Sequence, residues 1–356
     1  MLDTGRLRAS FEHIAPQAPD FARWFYAHLF LHHPGLRGMF PVSMEDQDRH
    51  LIGALAQVVD AVDDPARLTP LVQQLGRDHR KFAVVAEHFE AVGASILAAL
   101  EYFLAEAWTP EVKAAWAEAY GAIAGLMKDA MAADEETWPA WWDGEVVAAE
   151  KRSYDVAVLT VATHARLPYQ PGQSVAIEVP AAAPRVWRYY SPASAPREDT
   201  LLEFHIRATG PVSSALAAPA ARGLQLRLGP PVGTLVHRDT GRDILMVAGS
   251  TGLAPLKAIT AQIAGSARRP QVSLHFAARH PDGLYDLPAL EKMEAQHDWL
   301  TVTTGLIASG ADWRNRDCYV AGPSDMVASV KEELMTGGVP GEQVFAEDFG
   351  WKEPEP

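Results

Sequence analysis

A short run of polar and aromatic residues in the middle of the chain has the side chains needed to hold a ring-bearing nucleotide cofactor. Arg188 can bind a diphosphate through two parallel N–H groups, Tyr190 can lie along a planar ring system, and the Ser191 hydroxyl can reach a ring nitrogen. Because side chains alternate along a strand, Ser191 points away from the other two unless the chain bends near Pro192. The run alone is compatible with a flavin site and equally compatible with an ordinary aromatic strand whose arginine is solvated.

Two glycine turns later in the chain are typical of phosphate binding. Gly210, Val212 and Ser213 belong to a turn that would open a short helix with its N–H groups facing a diphosphate, although Ser213 could also simply cap that helix. The second turn lies between an apolar strand at 243–248 and a helix, an arrangement that lets backbone N–H groups approach a phosphate without interference from Cβ atoms. A tight turn without a ligand has the same pattern. The residues of this second candidate site are Gly249, Thr251, Gly252 and Pro255.

The first 132 residues have a helical pattern, and two of the helices would direct a polar side chain inward. Asp64-Pro65 and Thr109-Pro110 are typical helix starts. One apolar stripe, formed by Leu51, Leu55, Val58 and Val62, has Gln47 one turn before it. The next stripe ends at Leu75, and His79 lies one turn beyond it. His79 is therefore either a metal ligand or a hydrogen-bonded histidine at a helix end.

The rest of the chain predicts two kinds of sheet. From residue 143, short strands separated by glycine and proline favour a small antiparallel barrel. Beyond residue 242, strands alternate with helices predicted at 287–296 and 324–337, which indicates a parallel sheet with helices on both faces. Cys318 is predicted to lie in the core of that sheet.

Composition narrows the function classes. With 356 residues and 48% hydrophobic residues the chain can form two or three domains, and its net charge of −14 argues against binding nucleic acid or an anionic membrane. Its single cysteine excludes an internal disulfide and a thiolate-held iron–sulfur cluster. No uncharged stretch of about 18 residues occurs, so we expect no integral membrane association. We expect a cytoplasmic protein that acts on small diffusible substrates and needs no obligatory protein partner.

The order of the motifs resembles a ferredoxin-NADP reductase type flavin module. Arg-x-Tyr-Ser at 188–191 is followed by Gly210 to Ser214, Gly249 to Pro255, Ala321-Gly322-Pro323 and Glu347-Asp348-Phe349-Gly350. Residues 1 to 135 resemble a globin, and the two regions together are similar to the flavohaemoglobins. The resemblance implies a multidomain protein: an all-α globin domain at 1–137, an antiparallel β-barrel FAD domain at 143–238 and an α/β parallel-sheet NAD(P)-binding domain at 242–356.

The globin resemblance rests on matches at Phe25-Tyr26, Met39-Phe40, Gln47, Leu51 and His79. It implies that His79 Nε2 binds the iron of haem b, that Phe40 packs on the porphyrin, and that Leu51 lines the gas-binding side with the catalytic residues Tyr26 and Gln47. Phe89, a further pocket residue, and Met131 stand where better-known members carry a tyrosine and a glutamate that hold the proximal histidine. The sequence is closer to a divergent, actinobacterial-like subgroup.

The flavin resemblance assigns the remaining site residues. It implies FAD rather than FMN, bound by Arg188, Tyr190, Ser191, Gly210, Val212 and Ser213, with Phe349 shielding the flavin ring. It also implies that NAD(P)H binds at Gly249, Thr251, Gly252, Pro255, Gly322 and Pro323. Ala321 departs from the family, where many members have a cysteine before the Gly-Pro pair.

The implied activity is that of a nitric oxide dioxygenase, which detoxifies nitric oxide by converting it with O2 to nitrate. Electrons would pass from NAD(P)H through FAD to the haem iron, and the flavin is needed because a hydride carries two electrons whereas iron accepts one. Phe89 and Met131 leave open a flavohaem oxidoreductase acting on a hydroperoxide or an external acceptor. A haem-based gas or redox sensor is the third hypothesis.

Overall fold

Helices make up the first part of the chain and two sheets organise the rest. The computed structural model describes residues 3–308 and 310–349, and the chain divides into two compact units, Met1–Ala140 and Trp141–Pro356. The helices of the first unit are α1 Thr4–Ile14, α2 Ala18–His32, α3 Glu45–Ala61, α4 Pro65–Arg80, α5 His88–Leu104 and α6 Pro110–Glu135.

The helix starts that the sequence predicts are confirmed. The Asp64 side chain accepts hydrogen bonds from the N–H groups of Ala66 (3.1 Å) and Arg67 (3.3 Å), and Thr109 accepts one from Val112 N–H at 3.3 Å. In both helices a proline occupies the first turn, where its missing N–H costs nothing. These caps fix where α4 and α6 begin.

The core of the first unit forms where α1, α2, α5 and α6 meet. Its fully buried side chains include Phe21, Leu29, Ala99 and Leu100. The segment His88–Ala107 is long and apolar enough to cross a membrane by length and composition alone. Its helix α5 buries Phe89, Ile96, Leu100 and Leu104 against the other helices, as expected of the central helix of a helical domain.

The first sheet of the second unit is antiparallel, with strand order β4-β3-β6-β1-β2-β5. Pro192, just after β4, pairs with Phe204 of β5 and so joins the two outer strands. The predicted antiparallel barrel is therefore confirmed, and its interior contains Val161, Val175, Phe204, Ile206 and Leu228. The strands are β1 Trp142–Lys151, β2 Val156–Thr163, β3 Ser174–Glu178, β4 Trp187–Tyr190, β5 Leu201–Arg207 and β6 Gln225–Val232, and the short helix α7 spans Pro211–Ala217.

The second sheet is parallel, with strand order β11-β10-β7-β8-β9, and it confirms the predicted α/β fold. Alternate residues of β7 face opposite layers: Met246 packs with α8 and α9, whereas Val247 packs with α10. Cys318 is fully buried on the α10 side, as predicted. The elements are β7 Asp243–Gly249, α8 Leu253–Ala264, β8 Val272–Ala277, α9 Leu287–Gln296, β9 Leu300–Thr304, β10 Arg316–Gly322, α10 Ser324–Thr336 and β11 Val344–Asp348.

Candidate functional site

His79 occupies the last turn of α4 and has one ring nitrogen committed. Its Nδ1 lies 2.6 Å from the carbonyl oxygen of Leu75, and because a carbonyl only accepts, Nδ1 carries the proton. The residue is partly buried, and burial lowers the pKa of the His79 ring. The imidazole is therefore neutral with its Nε2 lone pair available, which is the donor that haem iron takes.

The helix that carries His79 is held tightly against α6. A Cβ at Gly76 would lie 2.5 Å from the carbonyl oxygen of Met127, so the two backbones approach as closely as they do only because residue 76 is glycine. At the end of α4, Arg80 is buried, forms an ion pair with Asp134 and donates to the carbonyl oxygen of Trp138 at 2.8 Å. The residue next to His79 is thereby anchored.

Tyr26, Phe40, Gln47 and Leu51 are brought into one region. The Tyr26 hydroxyl donates to the backbone carbonyl of Gln47 at 3.4 Å, and the Tyr26 ring meets Phe40 edge to face, with centroids 5.5 Å apart. Burial and the Asp48 carboxylate raise the pKa of Tyr26, so the phenol stays protonated. Phe40 and Leu51 pack beside Tyr26 yet keep part of their apolar surface accessible, as the walls of a crevice for an apolar macrocycle would.

The flavin run lies at the end of β4. Ser191 is buried, and Tyr190 packs against the barrel core, where burial raises its pKa to about 12 although its hydroxyl shares a hydrogen bond with Ser213. The Arg188 guanidinium is partly exposed and donates to the carbonyl oxygen of Trp187 at 3.0 Å. The chain turns after Tyr190, where the sequence requires a bend.

The turn at Gly210 is capped from inside. The Ser213 hydroxyl oxygen accepts from the N–H groups of Thr209 and Gly210, both at 2.9 Å, and Val212 is buried in the barrel core. Ser213 therefore caps α7 and also contacts Tyr190, so the structure joins the Arg-x-Tyr-Ser run to the first glycine turn. This convergence fits a dinucleotide whose flavin and diphosphate both lie along the barrel.

A corner of close backbone contacts lies at the carboxyl ends of β7 and β10. A Cβ at Gly249 would lie 2.3 Å from Met326 Sδ, one at Gly252 would lie 2.2 Å from the carbonyl oxygen of Ala321, and one at Gly322 would lie 3.0 Å from the carbonyl oxygen of Gly249. We call Gly249, Gly252 and Gly322 the glycine corner. Packing alone requires these glycines, and their position at the carboxyl edge of a parallel sheet is where such folds bind nucleotides.

The other predicted nucleotide residues surround the glycine corner. Thr251 lies in the single 3-10 turn between β7 and α8, Pro255 is buried in the first turn of α8, and Pro323 caps the N-terminus of α10. Phe349 N–H donates to the carbonyl oxygen of Gly322 at 3.1 Å, which places the predicted flavin shield beside the corner. Gly350 lies outside the described residues.

The comparisons with known proteins cover the chain from end to end. Three family models match in sequence order: Globin at residues 23–127, Oxidoreductase FAD-binding domain at 143–237 and Oxidoreductase NAD-binding domain at 246–322. A Flavohemoprotein of Rhodopirellula baltica is 26% identical over an alignment that covers 96% of this chain and 95% of the relative. The chain belongs to the flavohaemoglobin family.

Two solved structures agree with this assignment. The flavohemoglobin from Malassezia yamatoensis, determined with bound FAD and heme, matches with a TM-score of 0.80 at 16% identity over 98% of each chain. The flavohem-like FAD/NAD binding domain of nitric oxide dioxygenase from Vibrio cholerae matches 58% of this chain and 98% of its own length, with a TM-score of 0.52 at 22% identity. These two likenesses show the fold, and the globin, FAD-binding and NAD-binding family models support haem, FAD and NAD(P) as the cofactors, as predicted.

Phe89 and Met131, the two departures from the better-known family members, lie in one apolar cluster. Both are 9% exposed and pack in one cluster with Val72 and Met127. Tyr120 packs against this cluster, and its hydroxyl donates to the carbonyl oxygen of Phe89. Among the described residues, the hydrogen-bond partner of His79 Nδ1 is a neutral carbonyl and no carboxylate.

The sequence reasoning missed a buried charged group in the second unit. Glu203 and His205 of β5 meet Lys257 of α8 and Asp286, which precedes α9. Glu203 and Lys257 lie 54 positions apart along the chain, and Lys257 and Asp286 lie 29 apart. No local pattern links them, so only the tertiary contact reveals the group.

Proposed function

We propose that this flavohaemoglobin is a cytoplasmic nitric oxide dioxygenase that takes its electrons from NAD(P)H. When bound, FAD accepts hydride from NAD(P)H and the haem iron takes single electrons, so that nitric oxide and O2 can be combined to nitrate. The observation that carries the proposal is the hydrogen bond of His79. Its Nδ1–H donates to a neutral carbonyl, which leaves the Nε2 lone pair to bind a metal. Support also comes from the likeness to a domain of a protein described as a nitric oxide dioxygenase.

The side chains of the helical unit have distinct roles in this proposal. His79 holds the iron, and Gly76 and Arg80 keep α4 in place behind it. Tyr26 offers a buried O–H, which its raised pKa keeps protonated, and a phenol donor strengthens the binding of an electron-rich diatomic ligand in a pocket of low dielectric. That hydroxyl has one proton, which it donates to the Gln47 backbone carbonyl at 3.4 Å, so donating to a ligand would require it to turn away from this carbonyl. The Gln47 side-chain amide is the second candidate donor.

The apolar proximal side bears on the alternative functions. Peroxide cleavage needs an electron-rich axial ligand, and second-sphere partners with negative charge make an imidazole more donating. A carbonyl oxygen supplies less of this effect than a carboxylate would, so the contact with Leu75 favours oxygen chemistry over the hydroperoxide alternative. An external electron acceptor and a sensor role are separated from the proposal by turnover measurements.

The test is NADH- or NADPH-dependent consumption of nitric oxide by the purified holoprotein, with nitrate as the measured product. We expect Tyr26→Phe to lower the rate of nitric oxide consumption about 10- to 100-fold, in line with the loss of one positioned donor in an active site, while haem content and flavin reduction stay unchanged. Nitrate formation at the wild-type rate in Tyr26→Phe would remove the tyrosine from the mechanism. Fast reduction of artificial acceptors without nitrate would favour the external-acceptor function, and negligible turnover with full cofactors would favour a sensor.

A further inference from the structure

The outer face of barrel strand β5 is buried at His205 and partly buried at Glu203, whose side chain is 33% exposed. Leu202, Phe204 and Ile206 point into the barrel core, with exposures of 3%, 0% and 0%. The alternate residues Glu203 and His205 point the other way, and the His205 side chain is 0% exposed. A buried histidine and a partly buried carboxylate on an outward face require polar partners, which helix α8 and the segment before α9 supply. We call the parallel sheet with its helices the nucleotide sheet.

A continuous chain of hydrogen bonds links Glu203 and His205 to those partners. Lys257 Nζ lies 2.9 Å from Glu203 Oε1 and 2.6 Å from Asp286 Oδ2. His205 Nε2 lies 2.9 Å from the same Glu203 oxygen, and His205 Nδ1 lies 2.8 Å from the Tyr285 hydroxyl. Since a carboxylate only accepts, Nε2 carries the proton, and Tyr285 donates to Nδ1. We call Glu203, His205, Lys257, Tyr285 and Asp286 the Lys257 network.

The charges of the Lys257 network are balanced, and the Lys257–Asp286 pair is shielded from water more than Glu203 is. The side chains of Lys257 and Asp286 are 13% and 1% exposed, and Arg152 adds a second cation 3.3 Å from Asp286 Oδ1. Burial works against the charged form of Lys257, but Glu203 and Asp286 raise its pKa above the ordinary value. Glu203 is also disfavoured as an anion by burial, yet hydrogen bonds from His205 and Lys257 bring its pKa down to about 2.

The same geometry argues against a metal ion. Glu203, His205 and Asp286 bring ligand atoms within 4.8 Å of one another, a spacing that could hold a divalent cation. The Lys257 ammonium is in hydrogen-bond contact with both carboxylates and occupies the position that such a cation would need. The Lys257 network is therefore a set of contacts between side chains of the same chain, and its cation is the lysine ammonium and not a metal ion.

The Lys257 network lies between the two predicted dinucleotide sites. Strand β5 leads directly to the turn at Gly210, and Lys257 is in the second turn of α8, which begins immediately after Gly252. Tyr285 also meets Phe276 edge to face, with centroids 5.7 Å apart, at the carboxyl end of β8. The hydrogen bonds thus connect the strand that enters the flavin turn with the helix that leaves the glycine corner.

Apolar packing also joins the barrel to the nucleotide sheet, but it cannot specify their angle. Val156 and Val158 of β2 share a buried cluster with Ile259 of α8 and Phe276 of β8. Apolar burial has no preferred direction, whereas charge-assisted hydrogen bonds hold only in a narrow range of distance and angle. Hydride transfer needs reacting atoms placed to within a fraction of an ångström, and a misplacement of about 1 Å can cost about 100-fold in rate.

We propose that the Lys257 network is a positioning device that sets the nucleotide sheet against the flavin barrel so that hydride passes from the nicotinamide to the flavin. The proposal rests on the proposed function for its electron donor and acceptor. Lys257 is a positioning residue, because it contacts other side chains and not the reacting atoms. The network fixes geometry, so its loss should slow flavin reduction more than it weakens NADH binding.

The decisive experiment is anaerobic reduction of the holoprotein's flavin by NADH, with the rate of reduction measured by rapid-mixing absorbance spectroscopy. For Lys257→Met we expect the limiting rate of flavin reduction to fall about 10- to 100-fold, with FAD content unchanged and the NADH concentration for half-maximal rate changed less than about threefold. A larger primary isotope effect with NADH deuterated at the transferred hydrogen would identify hydride transfer as the slowed step. Lys257→Arg keeps the charge but not the compact ammonium, so it should recover part of the rate.

The matched control is Arg242→Met. Arg242 binds Asp317 at 2.7 Å, and the Asp317 side chain is 1% exposed, but both residues belong to the nucleotide sheet. This variant also leaves a buried carboxylate without its cation, so it should lose stability comparably while keeping the wild-type limiting rate. Equal slowing in Arg242→Met would show that any loss of stability slows the reaction, and would overturn the proposal.

A second variant keeps the proposal testable if Lys257→Met does not fold. Tyr285→Phe removes only the hydroxyl that donates to His205 and should slow flavin reduction a few-fold with an increased isotope effect. A wild-type rate and isotope effect in Tyr285→Phe would contradict the proposal. Because the rate is read on the flavin, normal flavin reduction without nitrate formation contradicts the proposed function alone. A wild-type flavin that neither NADH nor NADPH reduces would overturn both.

Discussion

The His79 site and the glycine corner would bind the ligands that we propose for them with different parts of the chain. At His79 the functional group would be a single side-chain atom, Nε2, which the helix around it aims. At the glycine corner the functional groups would be backbone N–H groups; the absence of a Cβ at Gly252 and Gly322 lets backbone segments meet, and at Gly249 it leaves room for the Met326 side chain. A substitution should therefore remove function from the first site without disturbing the fold, whereas at the second it should disturb both.

The largest expected effect is that of His79→Ala. The variant removes the only predicted iron ligand while leaving a helix-compatible residue, so specific haem binding should be lost and flavin content should stay at the wild-type level. Absorbance of the purified protein reconstituted with hemin measures both cofactors in one spectrum. Haem absorption of wild-type intensity and position in His79→Ala would show that another residue binds the iron.

Gly252→Ala tests the other side of the comparison. The new Cβ would lie 2.2 Å from the carbonyl oxygen of Ala321, so β10 or α8 must move, at a cost of about 1–3 kcal/mol in the free energy of unfolding. NADH-dependent flavin reduction should fall together with stability, measured by thermal unfolding. The control is Gly265→Ala at the end of α8, where the nearest atom would be at 3.6 Å and little change is expected.

Gly76→Ala tests whether the His79 site also depends on one close backbone contact. A methyl group 2.5 Å from the carbonyl oxygen of Met127 should push α4 away from α6 and cost about 1–3 kcal/mol, with a shifted haem spectrum at retained haem content. Gly125→Ala in α6 meets nothing within 4 Å and should stabilise the helix by up to about 1 kcal/mol. Identical behaviour of the two variants would refute the tight-crossing explanation.

The smallest effect is expected from Glu347, a titrating side chain beside the glycine corner. Burial, followed by the charge of Asp348, raises the pKa of Glu347 from 4.5 to about 7, and one of its carboxylate oxygens is buried without a partner in the described part of the chain. The unfolded chain therefore loses this proton at lower pH than the folded chain, so stability falls as pH rises from 4.5 through about 7 and then levels off.

Glu347→Gln should remove that dependence. Its thermal midpoint should equal that of the wild type near pH 4.5 and exceed it above pH 7, where the wild-type carboxylate is charged. Unfolding curves recorded across this range provide the measurement. Parallel curves for the two proteins at every pH would mean that the carboxyl group is not perturbed.

Local patterns were sufficient wherever one segment carried the whole signal. The caps at Asp64 and Thr109 and the strand and helix alternation after residue 242 follow from spacing between neighbouring residues. Strand β11 was not predicted, because Val344–Asp348 is too short to show a period and exists by pairing with β10. The contact between Gly76 and Met127 was likewise hidden, since it joins residues from different helices.

The sequence by itself determined the order of the domains and the types of side chain available at each site, because periodicity, caps and motif order are properties of neighbouring residues. Only the tertiary structure decided that Phe89 and Met131 join one apolar cluster with Val72, and that Lys257 joins β5 to Asp286. Such contacts depend on how separate elements approach one another in space. The distance between residues along the chain carries no information about that approach.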